Sequence, residues 1–265
     1  MRAGLLVTAG LLAAAPLSAQ EDALKRLEAS PRHQEWVQVK SGERTVHAFV
    51  VYPEIKDKAP VVIVIHENRG LTDWVRTVAD RLAEAGVIAI APDLLSGAAP
   101  DGGRTKDFAS QDAAREAIGK LSPDQVTADL NAVADYGLKI PAANGKLAVG
   151  GFCWGGGQTF RFATNRADLK GAFVFYGVSP SDKDAFARIK APVFGFYGGN
   201  DERVNATITP AEEAMKALGK KYEPVKYEGA GHGFMRAGED ANASEANKKA
   251  RTEAWARWKK LLGVQ

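Results

Sequence analysis

Short apolar runs alternate with longer amphipathic stretches along most of this chain. Val61–Ile65 and Val87–Ala91 are continuous apolar runs, which is typical of strands buried on both faces of a sheet. Between them, residues 72–85 carry apolar side chains three and four positions apart, which predicts a helix that ends at Gly86. This alternation predicts an α/β fold with one doubly wound, mostly parallel sheet.

The pattern continues toward the C-terminus. Further strands are predicted over residues 147–150, 172–176, 193–197 and 224–227. Helices are predicted from Gln158, from a capping box at Ser122–Gln125 to Gly137, and over residues 243–262.

The chain before residue 60 has a different pattern. Residues 35–40 and 45–51 alternate apolar and polar side chains around the Ser41-Gly42 turn, which predicts an antiparallel hairpin at a sheet edge. A short charged helix is predicted over residues 22–29. The sequence contains no internal repeat and no linker, so residues 20–265 are predicted to form one domain.

The N-terminal 19 residues have the pattern of a secretory signal peptide. Arg2 supplies a positive charge, an apolar stretch follows to Ala15, and Pro16-Leu-Ser-Ala19 resembles a cleavage region. The alternative is an uncleaved N-terminal anchor. We therefore expect an exported protein, periplasmic or secreted, without stable membrane insertion after cleavage.

The segment Gly151-Phe-Cys153-Trp-Gly155 lies between a predicted strand and a predicted helix. A nucleophile type flanked by small residues at such a junction predicts a strained elbow that presents its side chain at the helix N-terminus. Free N–H groups and the helix dipole there favour a thiolate and an oxyanion. The alternative is a tight turn with Cys153 as a small buried apolar residue.

Two further strand ends carry an acid and a base. Asp201 follows Gly198-Gly199, and His232 lies between glycines after the last strand. The order Cys153, Asp201, His232 is nucleophile, acid, base, the chain order of α/β-hydrolases. Asp201 would orient the imidazole, His232 would transfer protons, and Cys153 would form a thioester. Asn200 or Glu202 could replace Asp201 as the acid.

The loop after the long buried strand, His66-Glu-Asn-Arg-Gly70, completes the candidate site. In this arrangement it supplies one oxyanion-hole N–H, from Asn68, and the other comes from Trp154. Glu67 beside a thiol could hold it protonated and later accept its proton. Alternatively, Glu67 is a surface acid or pairs with Arg69. His66 is interpreted as an orienting residue.

These motifs together resemble the dienelactone hydrolases, also called carboxymethylenebutenolidases. Ala91-Pro-Asp-Leu94 and His232-x-Phe-x-Arg236 add to the resemblance, which extends from about Val37 to the C-terminus. It implies a single-domain α/β-hydrolase with a Cys153–His232–Asp201 triad and an auxiliary Glu67. It also implies that Arg236 anchors a substrate carboxylate, and Tyr176 and Trp154 are assigned to substrate binding.

The sequence departs from the family pattern near the expected substrate. Leu95-Ser-Gly97 stands where known members carry a second anchoring arginine, so Arg69 or Arg104 could take that role. Asn205 replaces a common proline after the acid, and Trp154 is bulky for its position. The loop of residues 97–103 is either a lid or a plain surface loop.

Composition narrows the functional classes further. The net charge of +3 is small and no Lys/Arg run occurs, which argues against nucleic acid as a partner. One cysteine excludes an internal disulfide and a cysteine-based zinc site. We expect a hydrolase of small esters or lactones, with a substrate that could bear a carboxylate, using no metal or organic cofactor. The alternatives are a non-catalytic binding protein on the same fold and a thioester-cleaving hydrolase.

Overall fold

The computed structural model describes residues 17–264, without the side chains of residues 17–21 and of residue 183. Most of the predicted signal peptide, residues 1–16, lies outside the described residues, and the cleavage site stays a prediction. Within the described part of the chain, no helix is long and apolar enough to cross a membrane.

The centre of the protein is one eight-stranded sheet. Its strands in chain order are β1 (Gln34–Ser41), β2 (Arg44–Val51), β3 (Ala59–Ile65), β4 (Ile88–Asp93), β5 (Ala143–Phe152), β6 (Leu169–Phe175), β7 (Val193–Gly198) and β8 (Tyr222–Tyr227). The spatial order is β1-β2-β4-β3-β5-β6-β7-β8. The β1–β2 and β2–β4 pairs are antiparallel, and all other pairs are parallel. The predicted edge hairpin and parallel sheet are thus confirmed.

Helices cover both faces of this sheet. They are α1 (Leu17–Glu28), α2 (Asp73–Glu84), α3 (Gln111–Gly119), α4 (Pro123–Lys139), α5 (Trp154–Ala163), α6 (Glu202–Asn205), α7 (Ile208–Ala217), α8 (Phe234–Ala237) and α9 (Glu245–Leu262). Short 3-10 helices span Pro100–Gly102, Thr105–Asp107 and Lys183–Arg188.

The β3 strand shows why its sequence is apolar at every position. Val61, Ile63 and Ile65 pack on one face with α4, α5 and α7, whereas Val62 and Val64 pack on the other with α2 and α9. All five side chains are fully buried. Burying each contributes about 1.5–3 kcal/mol relative to exposure, so the central strands fix the sheet.

Two local predictions were wrong or incomplete. α4 begins at Pro123 as predicted, but the Ser122 hydroxyl accepts no capping hydrogen bond. Its expected partner Gln125 instead donates to Asp129 one helical turn away, so the capping box does not form. The hydrophobic pattern also predicted no helix over residues 111–119, where α3 begins with a Ser110 cap.

The loop of residues 97–103 is closed by its own backbone. The Gly97 N–H donates to the Gly103 carbonyl at 2.8 Å, and Pro100–Gly102 forms a 3-10 turn. Its role as a lid stays a prediction. The loop follows β4, so it lies at the carboxyl edge of the sheet together with the ends of β3, β5, β6 and β7.

Candidate active site

Cys153 is the junction between β5 and α5. Its backbone has φ 54° and ψ −116°, a conformation that costs a residue with a Cβ about 1–3 kcal/mol. The Cys153 N–H donates to the Phe175 carbonyl at 3.0 Å, which holds the turn against β6. The thiol is half-buried rather than enclosed in the core. The structure therefore contains the strained elbow that the sequence predicted.

Glycines let this elbow contact its neighbours closely. A Cβ on Gly151 would lie 2.3 Å from the Gly155 carbonyl oxygen, so β5 and α5 pass in direct backbone contact. A Cβ on Gly155 would lie 2.3 Å from the His66 carbonyl oxygen. Larger residues at these two positions would separate the elbow from the loop after β3.

The acid and the base meet on two neighbouring loops. His232 Nδ1 lies 2.5 Å from Asp201 Oδ2, and Asp201 is only 8% exposed. A Cβ on Gly198 would lie 2.5 Å from the Gly231 carbonyl oxygen, so that glycine lets the two loops touch. The Asn200 side chain donates to the Gly229 carbonyl, away from the imidazole. Asp201 is thus the acid in contact with His232.

The environment of His232 favours its protonated form. Burial lowers the pKa, but the hydrogen bond that His232 donates to Asp201, and then the interaction with Cys153, outweigh it and raise the pKa to about 9. The imidazole is therefore close to both the carboxylate and the sulfur. The structure brings together the three residues that the sequence selected.

The loop after β3 is fixed by His66. This side chain is fully buried, and burial lowers its pKa, so it is neutral. Its Nε2 accepts from the Leu94 N–H at 3.3 Å, which places the proton on Nδ1, where it donates to the Glu67 carbonyl at 2.8 Å. Its ring stacks on Trp154 at 5.4 Å. His66 thus orients the peptide that leads into Asn68.

The candidate oxyanion donors lie on either side of the elbow. Trp154 is the first residue of α5, where backbone N–H groups have no partner within the helix. Among the described residues, neither the Trp154 nor the Asn68 N–H donates to a backbone carbonyl outside regular structure. Their role as oxyanion donors stays a prediction.

Glu67 pairs with Arg236 rather than with Arg69. Arg236 Nε donates to Glu67 Oε2 at 3.0 Å, across 169 positions of sequence. The Glu67 side chain is only 9% exposed, and its charge is the first cause of the raised pKa of Arg236. The surface-acid and Arg69-pair alternatives are thereby wrong, and the two predicted site residues neutralise each other.

Tyr176 is part of the wall beneath these groups. It has no exposed surface, and its ring packs edge-on against His232 at 5.2 Å and Phe234 at 5.4 Å. Its hydroxyl has no hydrogen-bond partner among the described residues. The sequence signalled neither this burial nor the unpaired hydroxyl.

The two arginines considered as a second anchor differ in their contacts. Arg104 stacks on Trp36, with its guanidinium carbon 3.8 Å from the ring centroid. Arg69 makes no ion pair within residues 17–264, and burial followed by the charge of Arg236 lowers its pKa. Among the described residues, Arg69 is therefore a cation near Arg236 that has no ion-pair partner.

Two residues that hold the loops of the site were given no structural role from the sequence. Asp93 is buried and accepts from the Leu95 N–H and from both the N–H and the hydroxyl of Thr105. The Thr105 hydroxyl in turn accepts from the Leu71 N–H at 3.0 Å, which ties this loop to the one bearing Glu67. The available signal was an acid at the end of a buried strand.

Asn205 is the second residue that holds a loop of the site. Its side-chain amide donates to the carbonyl oxygens of Gly198 and Gly199, which fixes the turn that carries Asp201. The residue at the position of the common proline thus still stabilises the acid turn, by hydrogen bonds instead of ring rigidity.

Comparison with known proteins assigns the chain to a family. The model of the dienelactone hydrolase family matches residues 46–264. The chain belongs to the dienelactone hydrolase family. It is also 34% identical over 199 residues to a Salmonella typhimurium protein named "Putative carboxymethylenebutenolidase", covering 71% of this chain and 72% of the relative. A Saccharolobus solfataricus protein of the same name is 28% identical over 253 residues, covering 82% and 93%.

Solved structures agree with this assignment. A Klebsiella pneumoniae structure described as "Putative Dienelactone Hydrolase" has a TM-score of 0.76 at 26% identity, covering 88% of this chain and 98% of that one. A dienelactone hydrolase from Anabaena variabilis shares the fold, with a TM-score of 0.63 at 21% identity, covering 84% and 96%. The protein is thus an α/β-hydrolase enzyme of the dienelactone hydrolase family.

Proposed function

We propose that this dienelactone hydrolase family member cleaves small esters or lactones through Cys153, with His232 and Asp201 as its catalytic partners. The observation that carries the proposal is the arrangement at the elbow. A half-exposed sulfur stands at the N-terminus of α5, beside an imidazole whose other nitrogen lies 2.5 Å from a buried carboxylate. These are the parts that acyl transfer through a thioester requires.

The reaction divides into two acyl transfers. In the first, the Cys153 thiol passes its proton to His232, whose environment favours the protonated form. The resulting thiolate then bonds to the substrate carbonyl carbon, and the carbonyl oxygen becomes an oxyanion. The N–H groups of Trp154 and Asn68 stabilise that charge. The carbon–oxygen ester bond then breaks, and His232 returns its proton to the leaving alkoxide. In a lactone this alkoxide stays attached to the acyl group.

The second transfer regenerates the enzyme. Water attacks the thioester carbon and gives a proton to His232, and the oxyanion forms again in the same place. The carbon–sulfur bond breaks, the acid product leaves, and the sulfur recovers its proton from His232. Asp201 stays ionised throughout, because its role is to orient and stabilise the imidazolium.

Arg236 and Glu67 make a carboxylate-bearing substrate the best match. Arg236 is half-buried, and among the described residues its one ion-pair partner is the Glu67 carboxylate, held through a single bond of 3.0 Å. A carboxylate on the substrate would compete with Glu67 for this guanidinium, whose fork suits carboxylates. Glu67 would then lose its partner at Arg236, so substrate binding would be linked to a rearrangement of charge in the site.

Mass spectrometry of the acyl-enzyme tests this proposal. The protein is mixed with p-nitrophenyl esters and quenched in acid, and p-nitrophenol release is followed in parallel. We expect a burst of p-nitrophenol and an acyl adduct on the peptide that contains Cys153. Cys153→Ala is the matched control and should show neither. Full turnover by Cys153→Ala would contradict the proposal, and no burst or turnover in the wild type would favour a non-catalytic binding protein.

We also propose that the protein is exported. The N-terminal pattern of charge, apolar stretch and small residues supports this, and a single cysteine leaves Cys153 no internal partner to oxidise with. Fractionation of cells and N-terminal sequencing test it. A mature chain that begins near Gln20 in the exported fraction is expected, and an unprocessed chain retained in the cytoplasm would contradict it.

A further inference from the structure

Tyr176 has an unusual backbone for a large side chain. It follows β6 with φ 41°, in the left-handed region that bulky residues seldom adopt. The reason is the next residue, because a Cβ on Gly177 would lie 2.2 Å from the Gly156 carbonyl carbon. The chain must turn sharply over the start of α5, and the turn directs the Tyr176 ring beneath the site. Strain of this kind is concentrated at functional sites.

The hydroxyl of Tyr176 is an unsatisfied polar group inside the described part of the protein. It is buried and forms no hydrogen bond with any described residue, although buried polar groups are seldom left unpaired. Burial raises its pKa well above the ordinary value of 10, and the nearby charge of Glu67 raises it further. The hydroxyl is therefore protonated under ordinary conditions, and it can donate to an acceptor that approaches it.

We propose that the Tyr176 hydroxyl is the second hydrogen-bond donor for the Glu67 carboxylate, which turns to it when a substrate carboxylate occupies Arg236. The inference rests on the proposed function, because that exchange of partners at Arg236 begins with substrate binding. Tyr176 acts here through Glu67, so it is a positioning residue and makes no bond to the substrate.

Burial explains why such a donor is required. Glu67 is only 9% exposed, and a buried carboxylate that loses its one cation is strongly destabilised. Without a second donor, the substrate would have to meet that cost from its own binding energy. A hydrogen bond from Tyr176 offsets part of it and holds the carboxylate within the site. The Tyr176 side chain has no exposed surface, and Glu67 is the charged group with the largest effect on its pKa.

Tyr176→Phe tests the inference, because it keeps the ring contacts with His232 and Phe234 and removes only the hydroxyl. The substrates are mono-p-nitrophenyl glutarate, which carries a free carboxylate, and p-nitrophenyl pentanoate, which replaces it by a methyl group. We expect the ratio of kcat/KM for the anionic ester to that for the neutral ester to fall roughly ten- to hundredfold, mostly through KM. Thermal stability should stay the same or rise, since an unpaired buried polar atom is removed.

Tyr227→Phe is the matched control. Its hydroxyl is also buried without a partner, and its ring also packs on Phe234, at 5.2 Å. It is outside the proposed site, so the ratio should not change. In a Glu67→Gln background, Tyr176→Phe should lose most of its effect on the ratio, because the carboxylate that the hydroxyl serves is absent.

Each outcome separates this inference from the proposed function. An unchanged ratio in Tyr176→Phe, or an equal fall in Tyr227→Phe, overturns the inference while ester hydrolysis stands. An undiminished effect in the Glu67→Gln background also overturns it, by showing that the hydroxyl serves the substrate directly. If the wild type hydrolyses neither ester, calorimetry with glutarate still decides, and equal affinities in wild type and Tyr176→Phe would refute the inference.

Discussion

The two sides of the active site hold their reactive groups in different ways. The nucleophile side, Cys153 with His232 and Asp201, is fixed by backbone contacts at glycines and by a short bond between the acid and the base. The charged side, Glu67 with Arg236 and Tyr176, depends on one 3.0 Å side-chain bond and leaves a buried hydroxyl unpaired. Backbone contacts permit one arrangement, whereas side chains can exchange partners. We infer that the first side sets the chemistry and the second recognises the substrate.

The largest effect is expected from the acid. Asp201→Asn keeps the shape of the side chain but removes the charge that orients and stabilises the imidazolium. We expect kcat on p-nitrophenyl acetate to fall about a thousandfold or more, with the fold retained. Glu202→Gln is the matched control, because Glu202 is an exposed neighbour that should leave the rate unchanged. A loss of less than tenfold in Asp201→Asn would show that the nucleophile side does not set the chemistry.

The nucleophile side could be predicted because its information is local in sequence. Each member lies in the turn or loop that follows a parallel strand, and parallel strands bring their carboxyl ends to one edge. The glycines beside Cys153 and before Asp201 marked the places where backbones touch. Three short motifs in a known order therefore sufficed, even though Asp201 and His232 are 31 positions apart.

The charged side could not be predicted in the same way. The Glu67–Arg236 pair spans 169 positions, and Arg69 was nearer in sequence and equally suitable in charge. Only the position of α8 against the loop after β3 decides between the two arginines. The left-handed backbone of Tyr176 could not be predicted from the sequence either, because its cause is a contact between Gly177 and Gly156 that forms only in the folded sheet.

The second effect probes the backbone contacts of the elbow. A Cβ on Gly155 would meet the backbone oxygens of His66 and Ile65 at 2.3 and 2.6 Å, so the loop that carries Asn68 must move. We expect Gly155→Ala to lower kcat about a hundredfold through the oxyanion hole, and to lower the free energy of unfolding by about 1–3 kcal/mol.

Gly157→Ala is the control for that change. It is on the same helix, but its Cβ would have its nearest neighbour at 3.5 Å, an ordinary contact distance. Alanine also favours a helix by about 1 kcal/mol over glycine, so stability should stay level or rise. Equal losses of activity in the two variants would mean that helix α5 as a whole, rather than the contact with His66, sets the geometry.

The third effect is on stability as a function of pH. The folded-state pKa of His232 is about 9, above the ordinary value of 6.5, so the folded protein holds this proton more tightly than the unfolded chain. The stabilisation is complete below pH 6.5 and is lost as the pH rises through 9. We expect the protonated imidazole to contribute about 1–2 kcal/mol to the free energy of unfolding. This is less than the full pKa shift implies, since a third of the side chain is exposed.

Urea unfolding at several pH values between 6 and 10 measures the contribution of His232 protonation to stability. The difference in unfolding free energy between wild type and His232→Gln should shrink as the pH rises over that range. In an Asp201→Asn background this stability difference should depend less on pH, because the substitution removes the largest of the contributions that raise the His232 pKa. A difference that grows with pH would show that the imidazole is neutral in the folded protein, and that the nucleophile side lacks its pre-formed charge.

The smallest effect separates the two arginines that could assist Arg236. Arg69 makes no ion pair in the described chain, so Arg69→Gln should leave stability unchanged. It should raise KM for mono-p-nitrophenyl glutarate several-fold. KM for p-nitrophenyl pentanoate, which has no carboxylate, is the reference. Arg104→Gln should instead lower the unfolding free energy by about 0.5–1 kcal/mol through loss of its stacking on Trp36, without a change in either KM. The reverse pattern would move the second anchor to the loop after β4. Substrate recognition would then extend beyond the Glu67–Arg236 pair onto a loop that Asp93 and Thr105 hold in place, and the charged side would be as firmly fixed as the nucleophile side.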